Sequence, residues 1–277
     1  MAVTKKVWLY PYSAEREYER LLLAYVKTME RQTLSYLKDL ELLRLDSWSY
    51  DLTSAMLYLL ELMLTTGQSV TVRLPEIYAQ VSQFNDRQWR LITKAGTGVD
   101  IGPAASMSGG NTTMSPPGVI RARFGVGVDV YRSEPWLAQA QSNWIASNTA
   151  LIKSIPIQYM GQVEQIIRSG VLAGESPKSL AEKIQKAGGV TERRATIIAR
   201  DQIGKANAEL TKNRQTDLGI TDYTWRTSHD ERVRPLHRER DGREFAWDKP
   251  PSDGHPGMPV LCRCSASPIF PPAGTVT

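Results

Sequence analysis

Apolar residues recur every three or four positions over most of the first two thirds of the chain, which is the spacing of one buried face of an α-helix. This pattern predicts a first helix over residues 13–40 and a second over Leu52–Leu64. A third is expected to follow Pro75. Asn85, with Gln88 three residues later, fits a capping box, so we expect a further helical segment to begin there.

The helical pattern resumes after Ser133 and continues to Gly174, where glycine suits the end of a helix. Pro156 lies in the middle of this stretch, and an internal proline removes one backbone hydrogen bond. The segment is therefore either one long helix or two helices with a break at Pro156.

Two adjacent glycines divide the next apolar pattern. We expect a short helix over residues 176–187 to be closed by Gly188 and Gly189, because glycine is the usual residue just after a helix. Thr191 would then cap a longer helix. That helix is expected to stop at Gly219, since glycine readily adopts the left-handed conformation of a helix C-terminus.

The middle of the chain has a different composition. The phrase GTGVDI at residues 96–101 returns almost unchanged as GVGVDV at 125–130, and residues 102–118 are rich in Gly, Ser and Pro and carry no charge. We expect a loop that is flexible or extended against a partner, with β-branched runs on both sides able to pair as strands. The glycines do not have the spacing of a phosphate-binding loop.

Beyond Gly219, short β-like runs alternate with turns, and Asp241-Gly242 is typical of a hairpin turn. The predicted fold class is therefore α+β, a mostly α-helical N-terminal body with a small α+β C-terminal module. We divide the chain into a helical N-terminal region, a Gly/Ser/Pro-rich loop with flanking strands, a second helical region and the C-terminal module, over residues 1–95, 96–132, 133–190 and 191–277.

Composition excludes several classes of protein. The chain has 277 residues, of which 41% are hydrophobic, so it can bury a core without disulfides. Its net charge of +5 is spread thinly, and any contact with DNA is expected to be weak and non-specific. We expect no signal peptide and no membrane span, because the chain has no long apolar run. We expect a reducing compartment, because a disulfide between cysteines with Cys-x-Cys spacing would be strained.

All three histidines and both cysteines lie between His229 and Cys264. His237, His255, Cys262 and Cys264 form a two-His, two-Cys set of the kind that a structural zinc ion prefers. Two alternatives stay open. His237 can be a hydrogen-bonded core residue beside two packed cysteines, or one thiol can be catalytic.

An arginine-rich stretch surrounds His237. In a nuclease-like interpretation, His237 and Asp241 form an acid–base or metal pair, and nearby arginines hold phosphates. Those arginines are Arg232, Arg234, Arg238, Arg240 and Arg243. Acidic residues interleave with them almost one for one, which favours a solvated, salt-bridged loop. The chain lacks the usual hydrolase motifs, and we assign no catalytic residue.

Two segments, WRTSHDERVRPLHRERDGREF and HPGMPVLCRCSASPIF, resemble the C-terminal signature of the Mu F-like family of tailed-phage minor head (head morphogenesis) proteins. The residues that carry the resemblance are Trp225, Thr227, Ser228, Asp230, Arg232, Val233, Arg234, His237, Asp241, Gly242, Cys262, Arg263 and Cys264. The segments EKIQKAGGVTERRATIIARDQIGKAN and FNDRQWRLITKAGTGVDI also resemble the family, so the similarity spans residues 75–270 and is strongest over 191–268.

The resemblance implies a structural and assembly protein of a tailed-bacteriophage virion. Such a protein would act at the portal and head interior during procapsid assembly and DNA packaging or delivery, after synthesis in the host cytoplasm. Its partners would be the portal or the major capsid protein, with weak DNA contact and no small-molecule substrate. A metal-dependent nuclease acting through His237 and the neighbouring arginines is the alternative.

We also expect Trp225, His237 and the Cys262–Cys264 segment to converge in one small core. The C-terminal module has few large apolar residues, so a polar tie from His237 would stabilise it by about 1–3 kcal/mol. The main protein–protein contact is expected on Leu52–Leu64 or on the first long helix. An ordinary internal core is the equal alternative for that region.

Overall fold

The computed structural model describes residues 8–39, 48–102 and 134–270, and it confirms the α+β fold class. The helices are α1 (Tyr12–Asp39), α2 (Trp48–Thr71), α3 (Leu74–Thr97), α4 (Leu137–Leu172), α5 (Pro177–Asp217) and the short α6 (Pro235–Arg240). The strands are β1 (Asp222–Arg226), β2 (Glu244–Ala246) and β3 (Ser265–Pro268). Most of the predicted Gly/Ser/Pro-rich loop, with the strand that follows it, falls on residues 103–133 and lies outside the described residues.

The helix α3 is continuous, so the start of a new helix predicted at Asn85 is wrong. Asn85 lies in the middle of α3 and is fully buried. Its side-chain amide donates to Thr211 Oγ1 at 2.8 Å and to the Asn207 side-chain oxygen at 3.0 Å. The sequence pattern around Asn85 suggests a helix cap, but the residue makes a buried contact with α5. A local sequence pattern does not distinguish these two roles of an asparagine.

Pro156 does not break α4, which runs as one helix of 36 residues. Of the two alternatives that the sequence left open, the single helix is the one that forms. Ile155 and Tyr159, on either side of the proline, are almost completely buried. We attribute the continuity to this packing, since tertiary contacts can offset a lost backbone hydrogen bond. Gly174 follows the helix with φ +70°, the conformation predicted for its end.

The predicted break at Gly188 and Gly189 is wrong, because α5 continues through both glycines as a helix of 41 residues. Thr191 caps no new helix; its hydroxyl donates to the carbonyl of Ala187 at 3.0 Å. A glycine weakens a helix by only about 1 kcal/mol, and it keeps its backbone N–H. At Gly188 a side chain would meet Glu30, since an added Cβ lies 2.9 Å from Glu30 Cδ.

The end of α5 at Gly219 is as predicted. Gly219 has φ +71°, and its N–H donates to the carbonyl of Thr216 at 2.9 Å. The N–H of Ile220 donates to the carbonyl of Gln215 at 3.0 Å. This pair of bonds is the Schellman arrangement that closes a helix at glycine.

The chain folds into two compact units. The first combines the described parts of residues 1–14, 78–141 and 201–277, and the second combines those of 15–77 and 142–200. The four-part division of the sequence follows chain order and stays a prediction. No helix among the described residues is both long and apolar enough to cross a membrane.

The second unit is a helical core in which buried aromatic residues also make polar contacts. Tyr18 of α1 donates to the Asn148 side-chain oxygen at 2.9 Å, and Tyr25 donates to the Met63 carbonyl at 2.8 Å. On α2, Met56 and Met63 are buried, whereas Tyr58 is 52% exposed. The helix α2 therefore contributes to the core and also offers an exposed face.

The first unit contains the sheet and two clusters of buried side chains. One cluster is formed by Trp8, Trp89, Ile92, Ile101, Leu218 and Ile220. The sheet has the strand order β2-β1-β3, and both pairings are antiparallel. In register, Tyr223 of β1 faces Phe245 on one side, and Trp225 faces Ala266 on the other.

Asp241-Gly242 forms a turn but not the two-residue hairpin that its sequence suggests. Helix α6 lies within the connection between β1 and β2 and ends at Arg240. Gly242 has φ +77°, and its N–H donates to the carbonyl of Trp225 at 2.9 Å. The turn thus joins α6 to β2, because Pro235 suits the start of a helix and begins one within the Arg-rich stretch that was expected to be a loop.

Candidate functional site

The candidate site lies beside the sheet, against the central strand β1. Alternate residues of a strand point to the same face, and Tyr223 and Trp225 are both fully buried on one face of β1. The small core that they belong to contains Tyr223, Trp225, Trp247, Cys262, Cys264 and Ala266.

Helix α6 places His237 in this core. The helix starts at Pro235, a residue suited to the first helical position, and His237 follows within the first turn. His237 is 2% exposed, and its ring meets Trp225 edge to face at 5.1 Å between centroids. Its Nδ1 lies 3.5 Å from Cys264 Sγ and 3.6 Å from Cys262 Sγ. The sequence segments expected to converge are therefore in contact.

Cys262 and Cys264 are free thiols on the turn that precedes β3, and both are buried. Residues two apart on an extended chain point to one side, which brings both sulfurs toward His237. Leu261, just before them, has φ +58° and donates its N–H to Asp201 Oδ1 at 3.0 Å. The N–H of Gly257 points to Cys262 Sγ at 3.4 Å. Backbone contacts thus fix the position of the thiols.

The two thiols change each other's acidity. Hydrogen bonding with Cys264 lowers the pKa of Cys262 to about 6, against the opposing effect of burial. The same contact, followed by burial, raises the pKa of Cys264. The two thiols therefore titrate as a coupled pair.

Asp253 holds the other side of the His237 ring, and nothing in the sequence analysis pointed to it. Its Oδ2 lies 2.9 Å from His237 Nε2, and its Oδ1 accepts from Arg240 Nη1 at 2.5 Å. Burial raises the pKa of Asp253, but the hydrogen bonds from Arg240 and His237 outweigh it and lower that pKa overall. Arg240 also lies over the Trp225 ring at 5.0 Å. In the sequence, Asp253 is visible only as part of an Asp-Gly pair in a proline-rich loop. Its distance along the chain from His237 fits no known motif.

His255 lies away from the other three predicted ligands. Its Nδ1 is 2.9 Å from the hydroxyl of Tyr223, and its ring packs against Trp247 at 4.8 Å between centroids. Burial lowers the pKa of His255. Within the described part of the chain, the group with metal-ligand geometry contains His237, Cys262 and Cys264, without His255.

Asp230, Arg232 and Arg263 tie loops together near the site. Asp230 Oδ2 forms an ion pair with the Arg263 guanidinium, and Asp230 Oδ1 accepts the backbone N–H of Arg232 at 3.0 Å. The Asp230–Arg263 pair joins the loop after β1 to the segment before β3. The residues of the signature thus bridge parts of the chain that are distant in sequence.

Arg234 and Asp241 have the same kind of role. Arg234 donates to the carbonyl of Val260 at 2.7 Å, and Asp241 Oδ1 accepts the N–H of Thr227 at 2.8 Å. Each of these side chains holds a backbone group of a neighbouring loop. The alternating charges favoured a salt-bridged loop, but residues 235–240 form α6, and Arg234 and Asp241 bond to backbone groups.

At the centre of this core, one ring nitrogen of His237 lies close to the sulfur atoms of Cys262 and Cys264. His237 Nδ1 and the two Sγ atoms lie within 4.8 Å of one another. Such a set can share protons as a hydrogen-bonded chain, or it can bind a soft cation. A catalytic thiol needs access to its substrate, whereas Cys262 and Cys264 are 7% and 8% exposed.

Residues 161–267 match the family model described as Phage Mu protein F like protein. This segment of the chain is therefore similar to the Mu F-like family. The Mu F-like segment runs from the second half of α4 into β3 and contains His237, Asp253, Cys262 and Cys264. The resemblance drawn from the sequence signature is therefore confirmed over this part of the chain.

The chain is also similar to an uncharacterized protein of Haemophilus influenzae (strain ATCC 51907 / DSM 11121 / KW20 / Rd). The two are 40% identical over 153 residues, which make up 54% of this chain and 34% of that protein. The chain thus spans about a third of the length of this relative. No solved structure matches the chain.

Proposed function

We propose that this protein is a minor head protein of a tailed bacteriophage with a structural role in head morphogenesis. The observation that carries the proposal is the Mu F-like segment at residues 161–267, which contains the whole candidate site. A resemblance of this kind speaks for a role in the phage head, and the partners and the stage of assembly belong to the proposal.

The positions of the signature residues support a structural role. Asp230, Arg234 and Asp241 each hold a loop through an ion pair or a hydrogen bond to the backbone. His237 is buried between Trp225 and the thiols. Residues placed in this way stabilise the fold of the C-terminal module. A structural role of this kind is what we expect of signature residues in an assembly protein.

The proposed place of action is the portal and the head interior, reached after synthesis in the host cytoplasm. The partners would be the portal protein, the major capsid protein or both. The net charge of +5 and a sequence pI of about 9.1 suit a protein that lies near packaged DNA without binding it tightly. A contact of this kind would weaken steeply with added salt.

The exposed face of α2 is the surface that we expect to meet the partner. Leu57 and Tyr58 are 62% and 52% exposed, and Tyr58 stacks on Tyr36 at 5.1 Å between ring centroids. Large exposed apolar side chains of this kind are enriched at protein interfaces. Trp48 and Tyr50 also belong to α2, and their side chains lie outside the described residues.

Co-purification tests the proposal directly. The full chain is co-expressed with the portal and the major capsid proteins of the same phage genome, one of them tagged in turn. We expect the chain to be retained by at least one of them. We expect L57E combined with Y58E to weaken retention at least tenfold, and I157E, a matched exposed apolar position on α4, to leave it unchanged. Absence of the chain from both co-purifications and from purified particles would contradict the proposal.

The nuclease alternative makes a different prediction for DNA. It needs His237 to reach a phosphate, and the described residues enclose this side chain. Incubation of plasmid DNA with the full chain and Mg²⁺ or Mn²⁺ is expected to produce no cleavage. Cleavage that H237A and the exposed-residue variant R232A both abolish, with the fold intact by circular dichroism, would favour the nuclease.

A further inference from the structure

We propose that His237, Cys262 and Cys264 form a binding site for a thiophilic divalent metal ion of the zinc class. This inference does not depend on the proposed role in the phage head. Zinc is bound by cysteine sulfur at about 2.3 Å and by histidine nitrogen at about 2.0–2.1 Å, so the nitrogen and sulfur ligands of a tetrahedral ion lie about 3.5 Å apart. The two Nδ1–Sγ distances here are 3.5 and 3.6 Å.

Both sulfurs lie at nearly the same distance from one nitrogen, which a metal ion explains better than hydrogen bonds do. A neutral imidazole nitrogen has one lone pair and accepts one good hydrogen bond. Two thiols that both donated to Nδ1 would therefore compete for a single acceptor. A cation between the three atoms would satisfy both sulfurs and the nitrogen together.

Asp253 supplies the partner that a metal-binding histidine requires. A carboxylate only accepts, so the hydrogen of the imidazole lies on Nε2, 2.9 Å from Asp253 Oδ2. The Nδ1 lone pair is then free to face Cys262 and Cys264. A carboxylate on the far nitrogen of a ligating histidine is a common arrangement at zinc sites, and it orients the ring. Arg240 holds Asp253 in turn.

The charges of the group also suit a buried divalent cation. Two thiolates and one neutral imidazole sum to −2, so the loaded site would be neutral. This matters because His237, Cys262 and Cys264 are 2%, 7% and 8% exposed, and an uncompensated buried charge is costly. The N–H of Gly257, 3.4 Å from Cys262 Sγ, would further stabilise a thiolate.

The three protein ligands leave the fourth tetrahedral position to water. His255, which the sequence suggested as the fourth ligand, is bonded through Nδ1 to Tyr223 and is not part of the group. Among the described residues, no further His, Cys, Asp or Glu joins it. The site thus differs from the two-His, two-Cys set predicted from the sequence.

Metal analysis of the full chain, purified without a histidine tag and without chelators, is the first test. We expect about one zinc ion per chain by inductively coupled plasma mass spectrometry. We expect C262S and C264S each to lose the metal, and H255A to retain it. We expect D253N to bind zinc about 10–100-fold more weakly in competition with a chromophoric chelator, the usual effect of removing such a partner.

A measurement on the unmutated chain covers the case in which a cysteine variant fails to fold. The protein is stripped of metal and loaded with Co²⁺, and the near-ultraviolet absorbance that sulfur-to-cobalt bonds produce is recorded. Strong bands at one equivalent are expected. A folded chain without these bands, and without measurable zinc binding, would overturn the proposal in favour of a hydrogen-bonded core. Loss of metal from H255A as well would show that the ligands are wrongly assigned.

Discussion

Arg214 forms a two-pronged ion pair with Glu134 in the interior of the protein. Arg214 Nε lies 2.7 Å from Glu134 Oε1, and Nη2 lies 2.9 Å from Oε2. The two side chains are only 1% and 3% exposed. The remaining guanidinium nitrogen donates to Asn85 Oδ1 at 2.6 Å and to the Ser82 carbonyl at 3.1 Å. Every face of this buried cation is therefore paired.

Removing the arginine is expected to be costly because it takes the paired guanidinium away from a buried carboxylate. We predict that R214M lowers the free energy of unfolding by about 3–5 kcal/mol in urea denaturation. The matched control is R168M, which removes an exposed pair with Glu164 and is expected to cost at most about 0.5 kcal/mol. Equal effects of the two variants would show that the Arg214–Glu134 pair is not buried in solution.

The continuity of α5 can be tested at its two internal glycines. An added Cβ at Gly189 meets nothing within 4 Å, so G189A is expected to stabilise the protein by about 0.5–1 kcal/mol through helix propensity. G188A is expected to gain less, because its Cβ would lie 2.9 Å from Glu30 Cδ and that side chain must move. Thermal or urea unfolding measures both. Destabilisation by G189A would indicate a helix end there instead.

Gly257 is expected to tolerate no side chain. Its φ is +84°, and an added Cβ would lie 2.6 Å from the Cβ of Ala208. We predict that G257A destabilises the protein by about 2–4 kcal/mol, from backbone strain and overpacking together. The control G254A, with φ +98° and its nearest neighbour Met258 Cβ at 3.5 Å, carries the strain alone and is expected to cost about 1–2 kcal/mol. Equal losses in the two variants would rule out the contact with Ala208.

Buried tyrosines should make the protein sensitive to alkali. Burial raises the pKa of Tyr159 from its ordinary value of 10.0 to about 12, and burial also raises the pKa of Tyr18, Tyr25, Tyr78 and Tyr223. A raised pKa in the folded state favours the neutral form, so this stabilisation is complete below pH 10 and is lost as the pH rises from 10 through 12. In an alkaline titration, we expect the absorbance of tyrosinate to increase over the same pH range in which the helical circular dichroism signal is lost. Full ionisation near pH 10 with the helices intact would contradict this.

The sequence predicts the helices well and their ends less well. Apolar spacing depends on which face is buried, and it persists through Asn85, Pro156 and the Gly188–Gly189 pair, so a single α3, α4 and α5 agree with it. The local signals at these residues are the same for a cap and for a contact made across the core. Tertiary packing determines which of the two roles the residue has, and the sequence of one segment does not contain that information.

The site follows the same rule. The crowding of His and Cys residues near the C-terminus was enough to predict that His237 and the Cys262–Cys264 segment meet. The crowding did not show that His237 lies beside the cysteines and His255 does not, because the type of a residue does not determine where its side chain points. Asp253 was missed, since its relation to His237 exists only once α6 and the proline-rich loop are folded.

The strand order β2-β1-β3 has a consequence for synthesis on the ribosome. The central strand is the first of the three to be translated, and both of its edges need partners that are made later. Until Ser265–Pro268 has emerged, β1 has an open edge, and the thiols of Cys262 and Cys264 have no fixed position beside Trp225. An open strand edge is where nascent chains pair wrongly with one another. The last-made strand therefore ends this vulnerable period, and a chain that stalls before it is expected to aggregate.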